Sequence, residues 1–260
     1  MTLLDDLLAD LKAEGDQLWN AVAGLDEAAW RTPTPAAGWD VATQVAHLLW
    51  TDEVATLAAT DKTGWDAVVL QAMEDPTGFV DTAALEVARL SPPALLARWG
   101  KARTALTDAL RGFPAGEKMP WFGPPMSPAS MVTARFMETW AHSLDVYEAL
   151  DCVPEPTDRI RNVAHLGVRT RGFAFTVHQL EPPAEEIRIE LKAPSGEIWT
   201  WGPEEAAQSV RGSAYDFCLL VTQRVHRDDT DLVAVGDDAE RWLGIAQAFA
   251  GPAGEGRAPR

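Results

Sequence analysis

The chain has 260 residues, 47% of them hydrophobic, with 39 acidic against 22 basic side chains and a formal net charge of -17. That length suits two modest domains, and that share of apolar residues can build a real core. So acidic a chain repels a phosphate backbone, and no apolar run approaches the roughly 18–20 residues that span a bilayer, so neither nucleic acid nor a membrane is an expected partner. The opening stretch, MTLLDDLLADLKAEGDQLW, carries acids where a secretory signal carries bases. The two cysteines, Cys152 and Cys218, stand far apart without metal-type spacing. No disulfide framework is expected, and a reducing cytoplasm is the expected compartment.

Leu3 to Leu25 repeats apolar residues at helical spacing (Leu4, Leu7, Leu8, Leu11, Leu18, Val22), which predicts a first amphipathic helix. RTPTPAAG, residues 31–38, reads as a loop, and Asp40 as the N-cap of a second helix that runs through His47 to about Thr60. A less regular region follows, broken by Gly64, Pro76 and Gly78. Ser91-Pro92-Pro93 opens a third helix to about Leu110. A connection rich in glycine, proline and aromatic residues then leads to Ser127-Pro128, which opens a long helix from Ala129 to Leu150, stopped by Pro154 and Pro156. Four such helices can form a bundle.

Beyond Pro156 the pattern changes. Thr157 to Leu180 predicts one further helix, and Ile187 to Leu191 alternates as a half-buried strand. The turn Pro194-Ser195-Gly196 leads to a partner strand at Ile198–Trp201, and Ser209 to Gly212 reads as a third short strand. Tyr215–Arg224 and Ala239–Ala250 read as helices, and the last ten residues, GPAGEGRAPR, as a frayed tail. The expected organisation is mainly α: a helical bundle over 1–153, a smaller α+β domain over 154–250 and a flexible tail over 251–260.

Candidate chemistry concentrates on the long helix. Glu138 and His142 are four apart and share one face, within a stripe of Arg135, Glu138, His142 and Asp145 opposite Phe136, Trp140, Leu144 and Tyr147. A Glu and a His one turn apart can bind one ion, although any surface helix shows a polar stripe. Arg135 reads as an ion-pair partner of Glu138 or of the neighbours of Glu148. His47 becomes the third donor if the helices lie side by side; alone it reads as a hydrogen-bonded histidine at a bundle edge. Two histidines and a carboxylate are a recurrent catalytic set for zinc, and arranged facially they hold iron(II). Asp145 reads equally as a group that orients a ligand and as a surface acid. His165 and His178 are thirteen apart, too distant for one ion, and His226 in VHRDDTDL reads as part of a polar turn. Trp121 and Phe122 read as core packing or as a pocket mouth.

GWDVATQVAHL resembles the G-W-[ST]-x-x-x-x-x-x-H-L segment of DinB-like bundles, with Asp40 in the Ser/Thr position. ETWAHSLDVYEAL resembles the E-x-x-x-H-x-x-D segment of the mycothiol-dependent maleylpyruvate isomerase metal-binding domain. The likeness covers roughly residues 1–150. It implies a DinB-like four-helix bundle followed by a sterol-carrier-like α+β domain, with His47, Glu138 and His142 holding a divalent metal, zinc above all, and with mycothiol as co-substrate. It also implies an arginine from the second domain; RGSAYDFCLLVTQR places Arg224 there, though LLVTQR stands where the family has L-x-x-W-x-x-R. The whole chain is further similar to actinobacterial metal-binding proteins named for a wyosine-base-formation domain, a tRNA-related label that the acidic composition does not support.

The resulting expectation is a metal- and thiol-dependent S-transferase or cis–trans isomerase acting on a small molecule, with Arg224 and Asp145 as catalytic candidates. The alternatives are a non-catalytic metal- or ligand-binding module and a hydrolase that uses metal-activated water. Three nameable ligands favour the enzyme, since a catalytic site keeps one position open. Monomer and homodimer both remain compatible with the sequence.

Overall fold

The computed structural model describes residues 2–249, 251–254 and 256–260. The chain divides into two compact units, Met1–Pro154 and Glu155–Arg260.

In the first unit, α1 (Leu3–Val22) starts on a capping box in which Thr2 and Asp5 satisfy each other's backbone N–H. A single turn, α2 (Glu27–Trp30), precedes α3 (Val41–Thr60), where the Asp40 carboxylate accepts the Thr43 N–H at 2.8 Å as its N-cap. The region expected to be irregular instead forms α4 (Lys62–Glu74) and α5 (Phe79–Val87). Pro76 and Gly78 do interrupt it. Gly64, however, sits in the first turn of α4, where a Cβ would lie 2.8 Å from the Leu57 side chain, so the glycine serves a close approach rather than a break. Next come α6 (Pro92–Gly112) and α7 (Pro128–Ala149), both with proline in the first turn.

Helices α1, α7, α3 and α6 close a four-helix ring, with α4 and α5 added against α3. Because α3 has neighbours on so many sides, every residue from Val41 to Leu49 is buried, polar ones included. Buried polar groups must find partners. Asp52 on α3 meets Arg135 on α7, Oδ1 to Nε at 3.0 Å, and the Trp99 indole of α6 donates to Oδ2 at 3.3 Å. This corrects the expected pairing of Arg135 with Glu138. The guanidinium is 2% exposed and belongs to the bundle interior, not to a solvated stripe. Burial pushes the Asp52 carboxyl up, and Arg135 and Trp99 oppose that shift.

The second unit opens on a short 3-10 turn (Asp158–Ile160), then α8 (Arg161–Arg169) and α9 (Arg171–Val177). The expected single helix over 157–180 is thus divided. At Thr170 the hydroxyl turns back to the Leu166 carbonyl and also reaches the Gln247 carbonyl at 2.7 Å, a contact available only once the unit is folded. Four strands follow: β1 (Ile187–Lys192), β2 (Ile198–Trp201), β3 (Gln208–Ser213) and, after α10 (Ala214–Val221) and a 3-10 turn at Arg227–Asp229, β4 (Val233–Val235). Their order is β2-β1-β3-β4. β1 runs antiparallel to β2 and parallel to β3, and β4 pairs antiparallel to β3. Alternate residues of β1 (Ile187, Ile189, Leu191) are buried, as the period of two requires.

The last helix, α11 (Asp237–Ile245), begins earlier and ends earlier than expected; Ala250, its expected end, and Glu255 of the tail lie outside the described residues. The segment after α11 is held by hydrogen bonds, among them Ala248 N–H to the Val221 carbonyl at 2.7 Å and Arg260 N–H to Asp229 Oδ2 at 2.9 Å. Among the described residues no helix is long and apolar enough to cross a membrane.

Removing one member of the Asp52–Arg135 pair leaves a charge uncompensated in the bundle. Asp52→Ala is expected to cost about 3–5 kcal/mol, measured as a shift in the urea midpoint at unchanged slope.

Candidate metal centre

Among the described residues, three pairs of polar side chains meet across the seam between α3 and α7. Gln44 meets His142, His47 meets Glu138, and Asp52 meets Arg135. The α3 partner advances along the chain as the α7 partner recedes, so the two helices run antiparallel and the contacts form successive rungs. The lowest rung is the ion pair described above and needs nothing more. The middle rung is different: His47 Nε2 lies 3.2 Å from Glu138 Oε2, and His142 Nε2 lies 3.4 Å from the same oxygen. One donor atom from each of the three residues lies within 4.8 Å of the others, forming a group that can hold a metal ion. Donors bound at zinc distances in a tetrahedron stand about 3.3–3.4 Å apart, so the two measured separations suit an ion at their centre.

The electrostatics also suit a cation. His47 is 6% exposed, and its pKa is lowered to about 4 by burial first and then by the neighbouring His142 charge, against the pull of Glu138. It is therefore neutral and keeps a lone pair. Burial raises the Glu138 carboxyl, but hydrogen bonds and charge from His142 and His47 outweigh this and hold it well below its usual range. His47 Nδ1 is buried without a hydrogen-bond partner. A neutral imidazole with an ionised carboxylate is the donor chemistry that divalent zinc takes.

Aromatic rings flank the donors. Trp39 stacks on His142 (centroids 5.7 Å apart, planes 19° apart) and tilts over His47 at 5.3 Å, and Trp50 lies 6.4 Å from His47. Rings continue from Trp50 through Phe79 to Phe122, which also contacts Trp65 and Trp121. Trp121 and Phe122 thus belong to an aromatic cluster beside α3, with Phe122 45% exposed at its edge.

Of the remaining candidates, Asp145 lies one turn beyond His142 on α7 and is 2% exposed, so its reading as a surface acid is corrected: α7 is packed on that side as well. Arg224 belongs to the second unit. Its backbone N–H closes α10 by bonding to the Leu219 carbonyl at 2.8 Å, after Gln223 takes a left-handed conformation (φ 59°), and its guanidinium donates to the Thr222 carbonyl at 2.6 Å. His226 caps the 3-10 turn at Arg227–Asp229 as the polar-turn reading expects, its Nδ1 accepting the Asp228 N–H. Gln44 was missed by sequence reasoning. The available signal was its place one turn before His47, which puts both on one face of α3.

Residues 11–147 match the family described as the mycothiol maleylpyruvate isomerase N-terminal domain. The chain belongs to that family. Residues 183–235 match a second family, described as wyosine base formation, which lies within the second unit. Two curated relatives, both called uncharacterized proteins and both from Mycobacterium tuberculosis (strains CDC 1551 / Oshkosh and ATCC 25618 / H37Rv), are 56% identical over 250 residues, covering 96% of this chain and 97% of theirs. Among solved structures, the mycothiol-dependent maleylpyruvate isomerase superposes with a TM-score of 0.58 at 14% identity, covering 90% of this chain and 95% of its own. A histidine-to-alanine mutant of that enzyme gives 0.59 at 15% identity with the same coverage. These two likenesses establish a shared DinB-like fold.

Two measurements check the centre. Elemental analysis should find one divalent metal per wild-type chain after zinc reconstitution and none in His47→Ala or His142→Ala; a variant that keeps one ion per chain contradicts the donor set. The second concerns acid. Folding lowers the His47 pKa from 6.5 to about 4, so the unfolded chain binds more protons between those values and stability rises with pH there. The metal-free protein should therefore hold its full stability above pH 6.5 and lose about 3 kcal/mol as pH falls to about 4. Urea unfolding across that range measures the slope, and His47→Gln should flatten it.

Proposed function

We propose that this protein is a divalent-metal-dependent enzyme, with zinc as the metal, that activates a low-molecular-weight thiol of the mycothiol kind, or water, for attack on a small electrophile as an S-transferase or cis–trans isomerase. The observation that carries this reading is the number of converging donors. Among the described residues the group consists of His47, Glu138 and His142, three rather than four. Structural zinc sites take four protein ligands, and catalytic ones take three. When bound, such an ion lowers the pKa of a thiol or water at its remaining position and so supplies a nucleophile at neutral pH.

The chain's own residues supply the rest. Glu138 brings the one negative charge of the donor set and neutral imidazoles bring none, so a divalent ion held there would keep one net positive charge to favour an anionic nucleophile. Trp39 and Trp50 place apolar ring surface against the histidine rings and lower the polarity around them. In this reading Asp145 is a positioning residue on α7, and Arg224 anchors a substrate carboxylate or a developing enolate. The solved relative is a mycothiol-dependent maleylpyruvate isomerase, and membership of the family over residues 11–147 supports a related use of the site. In this reading the protein works in a reducing cytoplasm, where Cys152 and Cys218 stay free thiols.

The test supplies metal-depleted and zinc-reconstituted protein with mycothiol plus maleylpyruvate, and separately with mycothiol plus an uncharged alkylating fluorophore. Turnover should require both zinc and thiol and should vanish in Glu138→Gln. Arg224→Leu should raise KM for maleylpyruvate about tenfold or more while leaving the uncharged electrophile unaffected. Equal turnover without metal, or hydrolysis that ignores the thiol, would overturn the thiol reading.

A further inference from the structure

The upper rung of the α3/α7 seam has a direction. The Trp39 carbonyl can only accept, and the Thr34 hydroxyl lies 3.0 Å from it, so the single Thr34 hydrogen is committed there. With its hydrogen spent, the Thr34 oxygen accepts, and Gln44 Nε2 donates to it at 2.9 Å. That contact fixes which way the Gln44 amide faces and turns Oε1 to His142 Nδ1, 2.6 Å away. An amide oxygen only accepts, so Nδ1 must carry the hydrogen. When the ring holds one hydrogen it is this one, and the His142 Nε2 lone pair faces the Glu138 carboxylate at 3.4 Å. Two acceptors then point at each other, an arrangement that calls for a cation or a proton between them.

We infer that Gln44, oriented by Thr34 and the Trp39 carbonyl, is a positioning residue whose one-way hydrogen-bond relay keeps His142 in the Nδ1–H form and presents Nε2 to the ion. The inference rests on the metal reading above. Gln44 is 0% exposed, so water cannot stand in for its amide, and in so buried a position a Leu or Met fills the same space without the cost of burying a polar group. His47 has no comparable partner at Nδ1, which makes His142 the one histidine of the pair whose tautomer is set through a side-chain relay.

Nitrogen-15 NMR of the histidine rings, with and without zinc, together with zinc titration against a competing chelator, tests this on wild type, Gln44→Met, Gln44→Glu and Thr34→Val. In wild type, His142 Nδ1 should carry a proton in both states. In Gln44→Met that proton should leave Nδ1 for Nε2 in the metal-free protein, where it bonds to Glu138, and the zinc Kd should rise about 10–100-fold. Gln44→Glu, which can only accept, should restore the Nδ1 proton and zinc affinity. Thr34→Val, which frees the amide to flip, should weaken zinc less than Gln44→Met does. If Gln44→Met proves unfolded by circular dichroism, Gln44→Glu and Thr34→Val carry the comparison, and identical tautomers and affinities across them and wild type overturn the relay. An unprotonated His142 Nδ1 in wild type also overturns it, as does wild-type affinity in a folded Gln44→Met. A wild-type chain that takes up no zinc defeats the metal reading, while the tautomer measurement still decides the relay.

Discussion

The site depends on one constraint: the polar side chains trapped between α3 and α7 have to satisfy one another. Gln44, His47, Asp52 and Arg135 are buried and Glu138 and His142 half-buried, and a buried polar group left without a partner costs free energy. Three rungs meet this requirement in three ways. Asp52 and Arg135 neutralise each other, and Trp99 takes up the spare carboxylate oxygen. Gln44 and His142 are joined in a chain of hydrogen bonds that ends on a backbone carbonyl. Only the rung between them is unbalanced, with two histidine nitrogens converging on one carboxylate oxygen. The closed rungs on either side make that imbalance local and specific.

The surroundings strengthen the effect. α3 is the most enclosed helix of the bundle, so His47 is desolvated and stays neutral well below the pH at which a free histidine protonates. The tryptophans contribute in a way that the sequence does not explain. Trp39 and Trp50 sit against the histidine rings, while Trp99 gives its only polar hydrogen to the buried ion pair. An indole covers a large area and has only one donor to place, which suits a wall around a site where stray acceptors would compete for the ion.

Membership of the family and the shared fold extend over different stretches. The family match covers residues 11–147, the stretch that contains all three rungs, whereas the structural likeness to the isomerase extends over 90% of the chain at only 14% identity. At such identity fold is preserved where side-chain chemistry need not be. Aligned on Arg224, the L-x-x-W-x-x-R pattern would put its tryptophan at Val221, the last residue of α10.

Local rules made much of this protein legible in the sequence. Asp40 and Ser127 announced α3 and α7, prolines bounded α6 and α7, and the alternation of Ile187, Ile189 and Leu191 announced β1, because caps, ring constraints and side-chain period act within a few residues. Short elements escaped for the same reason: β4 is three residues at a sheet edge with Val233 and Val235 exposed, so no alternation marks it. Thr170, at the break between α8 and α9, bonds to a carbonyl 77 residues away, a contact that local sequence does not reveal. The identity of His47, Glu138 and His142 as candidates could be read from helical spacing and resemblance. Their convergence, the assignment of Arg135 to Asp52, the burial of Asp145 and the part played by Gln44 could not. Each depends on which face of α3 meets which face of α7, and that register is set by packing around the whole ring of helices rather than by any neighbour in the chain.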